Sequence, residues 1–179
     1  METVMETLTA IELKPVSVSE PRELRNLMGQ FATGVTIITT VAADGTPVGL
    51  TANSFSSVSL NPALVLWSLD KRSPNIELFR HNSHFAINIL AASQHELSSQ
   101  FARPADDKFA DVDYQLTDSG TVVLDGALVS LVCRNACQYE GGDHLIFIGE
   151  IEQFASRAGE PLVFHGGQYR TVSRHPAYS

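Results

Sequence analysis

Residues 51–60 read TANSFSSVSL and run on into Asn61-Pro62, directly after the largely apolar stretch Val35–Leu50. The ten residues hold four serines, a threonine and an asparagine. Solvated loops seldom follow such an apolar lead-in, and buried strands are seldom so polar. A hydroxyl-rich turn pinned by Phe55, Val58 and Leu60 presents short donors and acceptors in a nearly fixed frame. Such a frame suits a flat, polar-edged ligand with a phosphate tail.

Composition sets the limits of the reading. At 179 residues the chain fits one domain, with a core that needs no disulfide or metal. An apolar fraction of 44% and a charged fraction of 18% are those of a globular protein. A net charge of −8 argues against nucleic acid or an anionic membrane as partner, because phosphate backbones and headgroups want clustered Lys and Arg. No apolar run approaches the ~20 residues that span a bilayer. The acidic N-terminus METVMETLTAIELK lacks a signal pattern, which points to the cytoplasm. Cys133 and Cys137 lie in one predicted strand, roughly 13 Å apart, too far for a disulfide. No further cysteines complete a zinc site, so no metal is expected and both thiols read as buried.

Along the chain, residues 1–18 read as an arm, 19–173 as the domain and 174–179 as a disordered tail. Ser19 is a candidate N-cap with Pro21 in the first turn, and Leu24, Leu27, Met28 and Phe31 follow at helical spacing. Val35–Ala42, Val48–Thr51, Ala63–Leu69, His84–Leu90, Ala127–Tyr139 and His144–Phe154 read as strands. Asp44-Gly45 and the Glu140–Asp143 segment EGGD supply hairpin turns. A helix opens at Ser73-Pro74. A second starts from a capping box at Ser93–Glu96, and residues 103–120 read as loop. Strands outnumber helices and no βαβ rhythm appears. The expected fold class is mainly β, an antiparallel barrel with a few surface helices. No Rossmann or P-loop glycine pattern is present.

Beside TANSFSSVSL stand Phe31-Ala32-Thr33-Gly34-Val35, then Phe85–Leu90 (FAINIL), Gly142-Asp143-His144, Pro161-Leu162 and Tyr169. In this order the set, from Leu24 to Val172, resembles the short-chain flavin reductase family. These are reductase components of two-component flavin-dependent monooxygenases, built on the FMN-binding split barrel. Asn61-Pro62-Ala63 stands where many members carry Asp-Pro-Pro, a change confined to a turn.

The resemblance implies FMN or FAD as flavin, NADH or NADPH as hydride donor, a homodimer with the site between subunits, and a separate oxygenase partner. It lays Thr51, Ala52, Asn53 and Ser54 along the ring and ribityl chain, with Ser56 and Ser57 nearby. It brings Thr33, Gly34 and Val35 to the ring, Asn88 into the pocket, and Phe101, Ala102 and Arg103 beside it. His144 is the expected catalytic residue, where nicotinamide meets flavin, and Tyr169 packs at the same place. From local chemistry alone, Ser68, Lys71, Arg72 and Ser73 make the best anion site, with Ser73 at a helix start. Two rival readings use the same barrel: a pyridoxamine phosphate oxidase-like flavoenzyme, and a non-catalytic flavin-binding module.

Overall fold

A computed structural model describes residues 21–178. The arm over residues 1–18 and the Ser19 cap lie outside them. Helix α1 (Pro21–Met28) leads into β1 (Thr33–Gly34), β2 (Thr36–Val41), β3 (Pro47–Ala52), β4 (Ser56–Leu60) and β5 (Ala63–Asp70). Helix α2 (Ile76–His81), β6 (His84–Ile89), a 3-10 turn (Ala92–Gln94) and α3 (His95–Ala102) come next. Then follow β7 (Tyr114–Leu116), β8 (Val122–Leu124), β9 (Val129–Gly141), β10 (His144–Ser156), β11 (Val163–His165) and β12 (Gln168–Arg170).

Seven strands form one antiparallel sheet in the order β3-β2-β6-β9-β10-β5-β4. Its two edge strands, β3 and β4, are neighbours in sequence, separated by only Asn53–Phe55. Four Cα steps reach at most about 14 Å, whereas six strand spacings in a flat sheet span about 29 Å. The sheet must therefore roll up. Ser54 continues the β4–β5 register past Ser56: its Oγ accepts from the Ser68 N–H at 2.9 Å and donates to the Ser68 carbonyl at 3.1 Å. The edges β3 and β4 share no ladder, and the barrel is split between them.

The barrel interior is aromatic. Trp67 stacks on Phe147 (4.5 Å, 11°) and meets Phe79 and Phe85 edge-on. Val65, Leu69, Ile38 and Ile87 complete this core. A Cβ on Gly149 would stand 2.7 Å from the Phe85 ring, so bare backbone is needed there. A second core lies outside the rolled sheet, where Val35, Ile37, Leu90, Phe101, Phe109, Val122 and Leu162 pack together. Strand β2 is buried on both faces for this reason. Helix α3 presses so closely on β3 that a Cβ on Gly49 would lie 2.6 Å from the Phe101 ring.

Several expectations change. The TANSFSSVSL segment is mostly strand: Thr51 and Ala52 end β3, and Ser56–Leu60 is an edge strand with a bulge between Ser57 and Ser59. A polar sequence is tolerated there because one long side of the strand faces water. The segment 103–120, read as loop, contains β7 (Tyr114–Leu116), which pairs with β8 just beyond it. The capping role assigned to Ser93 belongs to Gln94, whose Oε1 accepts from the Ala91 N–H at 3.0 Å. Helix α2 starts at Ile76 rather than at Ser73. Cys137 is exposed while Cys133 is buried. The ladder skips Ala136, pairing Cys137 with Ile148 and Asn135 with Gly149, and that bulge flips the face of everything beyond it. Burial pushes the Cys133 thiol up to about 12. The tail carries a 3-10 turn at Pro176–Tyr178.

The apolar stripe of α1 does not enter the core. Leu27 and Met28 are each 63% exposed, and Phe31 is 78% exposed.

Candidate functional site

The seam of the barrel opens onto two cavities that share a wall. The smaller, about 180 Å³, lies between the end of β3 and α3; Thr51, Ala52 and Asn53 form one side and Ser98 and Ala102 another. Val35, Phe164 and Tyr169 close it. The larger, about 550 Å³, is bounded by Arg25 and Met28 of α1, by Gly29, Phe31 and Thr33 after it, and by the β11–β12 turn Gly166-Gly167. Asn53 and Phe164 line both. The FATGV and TANS segments, far apart in sequence, thus meet across one cleft. Strand β1 reaches it by pairing with β11 (Thr33 with Phe164, Gly34 with Val163), while the Gly166 N–H donates to the Gly29 carbonyl at 2.8 Å.

Hydrogen bonds fix these walls. The Thr51 hydroxyl donates to the Ser98 carbonyl at 2.7 Å, and the Thr36 hydroxyl to the Ala52 carbonyl at 2.7 Å. The Ser98 and Tyr169 hydroxyls are 2.8 Å apart. Thr33 differs: its Oγ1 is buried with no hydrogen-bond partner among the described residues. A buried hydroxyl left alone is costly. A ligand edge reaching the larger cavity would supply the missing partner. The donor set, hydroxyls and an amide beside apolar Val35 and Phe164, fits a flat ring with polar edges.

Other predicted residues lie elsewhere. Asn88 is fully buried beneath the cleft, not on its lining, and both ends of its amide are occupied. Its Nδ2 donates to the Ile37 carbonyl (3.1 Å) and Thr39 Oγ1 (3.0 Å), while its Oδ1 accepts from the Leu124 N–H (3.0 Å) and the Ser130 hydroxyl (2.9 Å). Phe101 is a core residue packed edge-on against Phe109, and Arg103 is exposed just past α3. Gly34 sits in β1 and lines neither cavity, Ser54 is bonded to Ser68 of β5, and Ser56 and Ser57 lie exposed on β4.

The anion site read at Ser68, Arg72 and Ser73 becomes a charged rim that lines neither cavity. Arg72 forms a fork with Asp70, Nη2 to Oδ2 at 2.6 Å, which holds the Asp70 carboxyl well below its usual range. Lys71 is paired with Glu140 and donates to the Gly142 carbonyl at 2.6 Å. Ser73 accepts from the Asn75 N–H in a local turn. Both cations therefore have carboxylate partners already.

His144 sits on the same rim, at the first position of β10 after the tight turn Gly142-Asp143, whose Gly142 has φ +70°. Its Nδ1 lies 2.7 Å from Asp143 Oδ1, a contact that lowers the Asp143 carboxyl. Ser68, the hydrogen-bond partner of Ser54, pairs with Ile146, two residues from His144. The rim thus adjoins the TANS segment through a single strand pairing.

Sequence reasoning missed Ser98, Phe164, Arg25, Gly166 and Gly167. Ser98 lies within HELSSQFA, whose polar look conceals that it is fully buried. The glycine pair carried a turn signal that was available to be read.

A profile of the flavin reductase like domain matches residues 28–173. An FMN reductase (NADH), SmoA, of Agrobacterium fabrum is 44% identical over 153 residues, covering 86% of this chain and 87% of that one. The reductase component of a flavin-dependent trigonelline monooxygenase from Acinetobacter baylyi is 45% identical over 88% of this chain, which spans about half (51%) of that relative's length. The solved NADH:FAD oxidoreductase SgcE6 of Streptomyces globisporus C-1027, in complex with NAD and FAD fragments, superposes with a TM-score of 0.85. Its identity is 36%, covering 92% of this chain and 99% of that one. A profile match over most of the sequence, close relatives, and a rolled, seamed antiparallel sheet shared with solved flavin reductases converge on one statement: the chain belongs to the flavin reductase like domain family.

Proposed function

We propose that the protein is an NAD(P)H-dependent flavin reductase that reduces FMN or FAD and releases it to a separate flavin-dependent oxygenase. The observation that carries this reading is the shared cleft, where Asn53 faces both cavities and Thr33 Oγ1 stands buried without a partner among the described residues. A bound flavin supplies the two-electron acceptor, and the nicotinamide supplies the hydride. The chain's task is to hold the two rings in contact and to set hydrogen-bond donors around the acceptor. Thr33, Thr51, Ala52 and Asn53 would line the flavin. Tyr169 and His144 would meet the nicotinamide. Arg25 is the cation that lines the larger cavity.

In steady state, NADH or NADPH oxidation should rise when riboflavin, FMN or FAD is added to the purified protein. Tight flavin binding with no nucleotide oxidation would leave a flavin-binding module instead.

The protein works as a homodimer, in which a second copy covers the exposed stripe Leu24, Leu27, Met28 and Phe31 beside the larger cavity. That stripe is too apolar to stand in water without a partner. Light scattering at micromolar concentration should give twice the chain mass; a fully active monomer would overturn the shared site. Two free thiols fit a reducing, cytoplasmic setting.

A further inference from the structure

We infer that Ser98 is a positioning residue of the reductase site: it ties both walls of the smaller cavity to α3 and fixes Tyr169 where the nicotinamide stacks. Its backbone carbonyl accepts the Thr51 hydroxyl at 2.7 Å, and its side-chain hydroxyl meets the Tyr169 hydroxyl at 2.8 Å. Thr51 belongs to the wall made by β3, and Tyr169 to the wall made by β12. Ser98 is therefore a shared node between two segments with no ladder between them.

The node is rigid. Ser98 is fully buried, and its helix is seated on β3 by the contact between Gly49 and Phe101. Tyr169 sits on a three-residue strand after a Gly-Gly turn and has little else to hold its hydroxyl: Ser99 Oγ is farther, at 3.4 Å. Phe164 supports the ring edge-on (centroids 5.6 Å apart) but does not choose the rotation of the strand that carries it. Without the Ser98 hydroxyl, Tyr169 keeps its place in the sequence and loses its fixed height over the cavity. A ring that only stacks on a nucleotide depends on that height.

The inference rests on the proposed placement of nicotinamide against Tyr169, and the test separates the two. S98A, Y169F and the double variant are compared with the unaltered protein in two measurements. The first is amide hydrogen exchange of residues 168–170 in ligand-free protein. The second is flavin-saturated NADH oxidation, with a flavin titration beside it. Faster exchange is expected in both single variants, with the KM for NADH raised about 3- to 10-fold, the worth of one hydrogen bond. The flavin dissociation constant should stay within about twofold, and the double variant should be no worse than either single one. Faster exchange with an unchanged KM for NADH would make Ser98 a purely structural latch and overturn the proposal. Multiplying effects in the double variant would overturn it too, because Ser98 would then not act through the Tyr169 hydroxyl. Should S98A fail to fold, Y169F alone carries the test, since it removes the same bond from a half-exposed position. Absence of NADH oxidation in the unaltered protein would defeat the functional reading itself, while the exchange measurement would still report the latch.

Discussion

Two polar regions flank the seam, and they are built in opposite ways. Behind the smaller cavity, Asn88, Thr39, Ser130, Thr51 and Ser98 form neutral bonds away from bulk water. At the rim, Asp70, Arg72, Lys71, Glu140, Asp143 and His144 form charged contacts that are largely open to it. Neutral buried bonds are indifferent to pH and salt, and each becomes expensive when one partner is removed. Exposed ion pairs are screened and cheap to lose. The lesson is that geometry here is held by uncharged hydroxyls and amides, while the charges form a soft border beside the TANS segment.

The sharpest way to break this contrast is at Asn88. Replacing it with Ala strands four partners in the core, and about 2–5 kcal/mol of unfolding free energy should be lost in urea titration. The folded fraction should keep its flavin affinity. A stable N88A protein that binds flavin poorly would move Asn88 from the frame into the pocket, where the family resemblance had put it.

Asn53 comes next, because it faces both cavities. N53A should weaken flavin binding by about 1–3 kcal/mol, roughly 5- to 150-fold, read by flavin fluorescence. Stability should hardly change, the reverse of the Asn88 result. An unaltered dissociation constant for both FMN and FAD would take Asn53 out of the site.

His144 tests the rim. H144A should reduce kcat/KM for NADH by a factor on the order of 10 in stopped-flow flavin reduction, while the flavin titration is unchanged. Wild-type hydride transfer in that variant would leave the imidazole as a solvated strand end.

The smallest effect is expected from the rim's ion pairs. R72A should leave flavin affinity and the melting temperature nearly untouched. The carboxyls of Asp70, Asp143 and Glu140 are held below their ordinary values of 3.8, 3.8 and 4.5, each chiefly by a side-chain hydrogen bond, from Arg72, His144 and Lys71 in turn. Folded-state values that are lowered add stability above the ordinary carboxylate range and lose it as pH falls through the folded values. The rim should therefore leave stability flat from neutral pH down to about 5 and withdraw its small share below about 4, an effect that high salt weakens. A steep salt dependence near neutral pH would mean that the rim is structural after all.

Much of the fold was legible before any coordinates. Asp44-Gly45 and Gly142-Asp143 marked hairpins because few other residues make tight reversals, and the strands of the aromatic core announced themselves by composition. The edge strand β4 did not, since Ser56, Ser57 and Ser59 are allowed by solvent rather than demanded by packing. Cys137 was placed on the wrong face because one skipped residue at Ala136 reverses the alternation, and a bulge leaves no local signature here. The apolar spacing from Leu24 to Phe31 predicts a helix reaching Thr33-Gly34, but α1 ends at Met28, before Phe31, and periodicity does not say which surface the stripe serves. Within the site, the loop chemistry of TANS and FATG was readable. The roles of Asn88 and Ser98 were not, because they depend on partners 36 to 71 residues away.

Gly49 lines neither cavity of the site, carries no functional group and would pass unnoticed in a survey of contacts there. Yet any side chain there pushes the Phe101 ring, and with it the helix that carries Ser98. A saturation mutagenesis screen scored by turnover would rank this silent position among the active-site residues. In such a molecule the map of intolerance traces the scaffold's tolerances, measured in tenths of an ångström, as faithfully as it traces the chemistry.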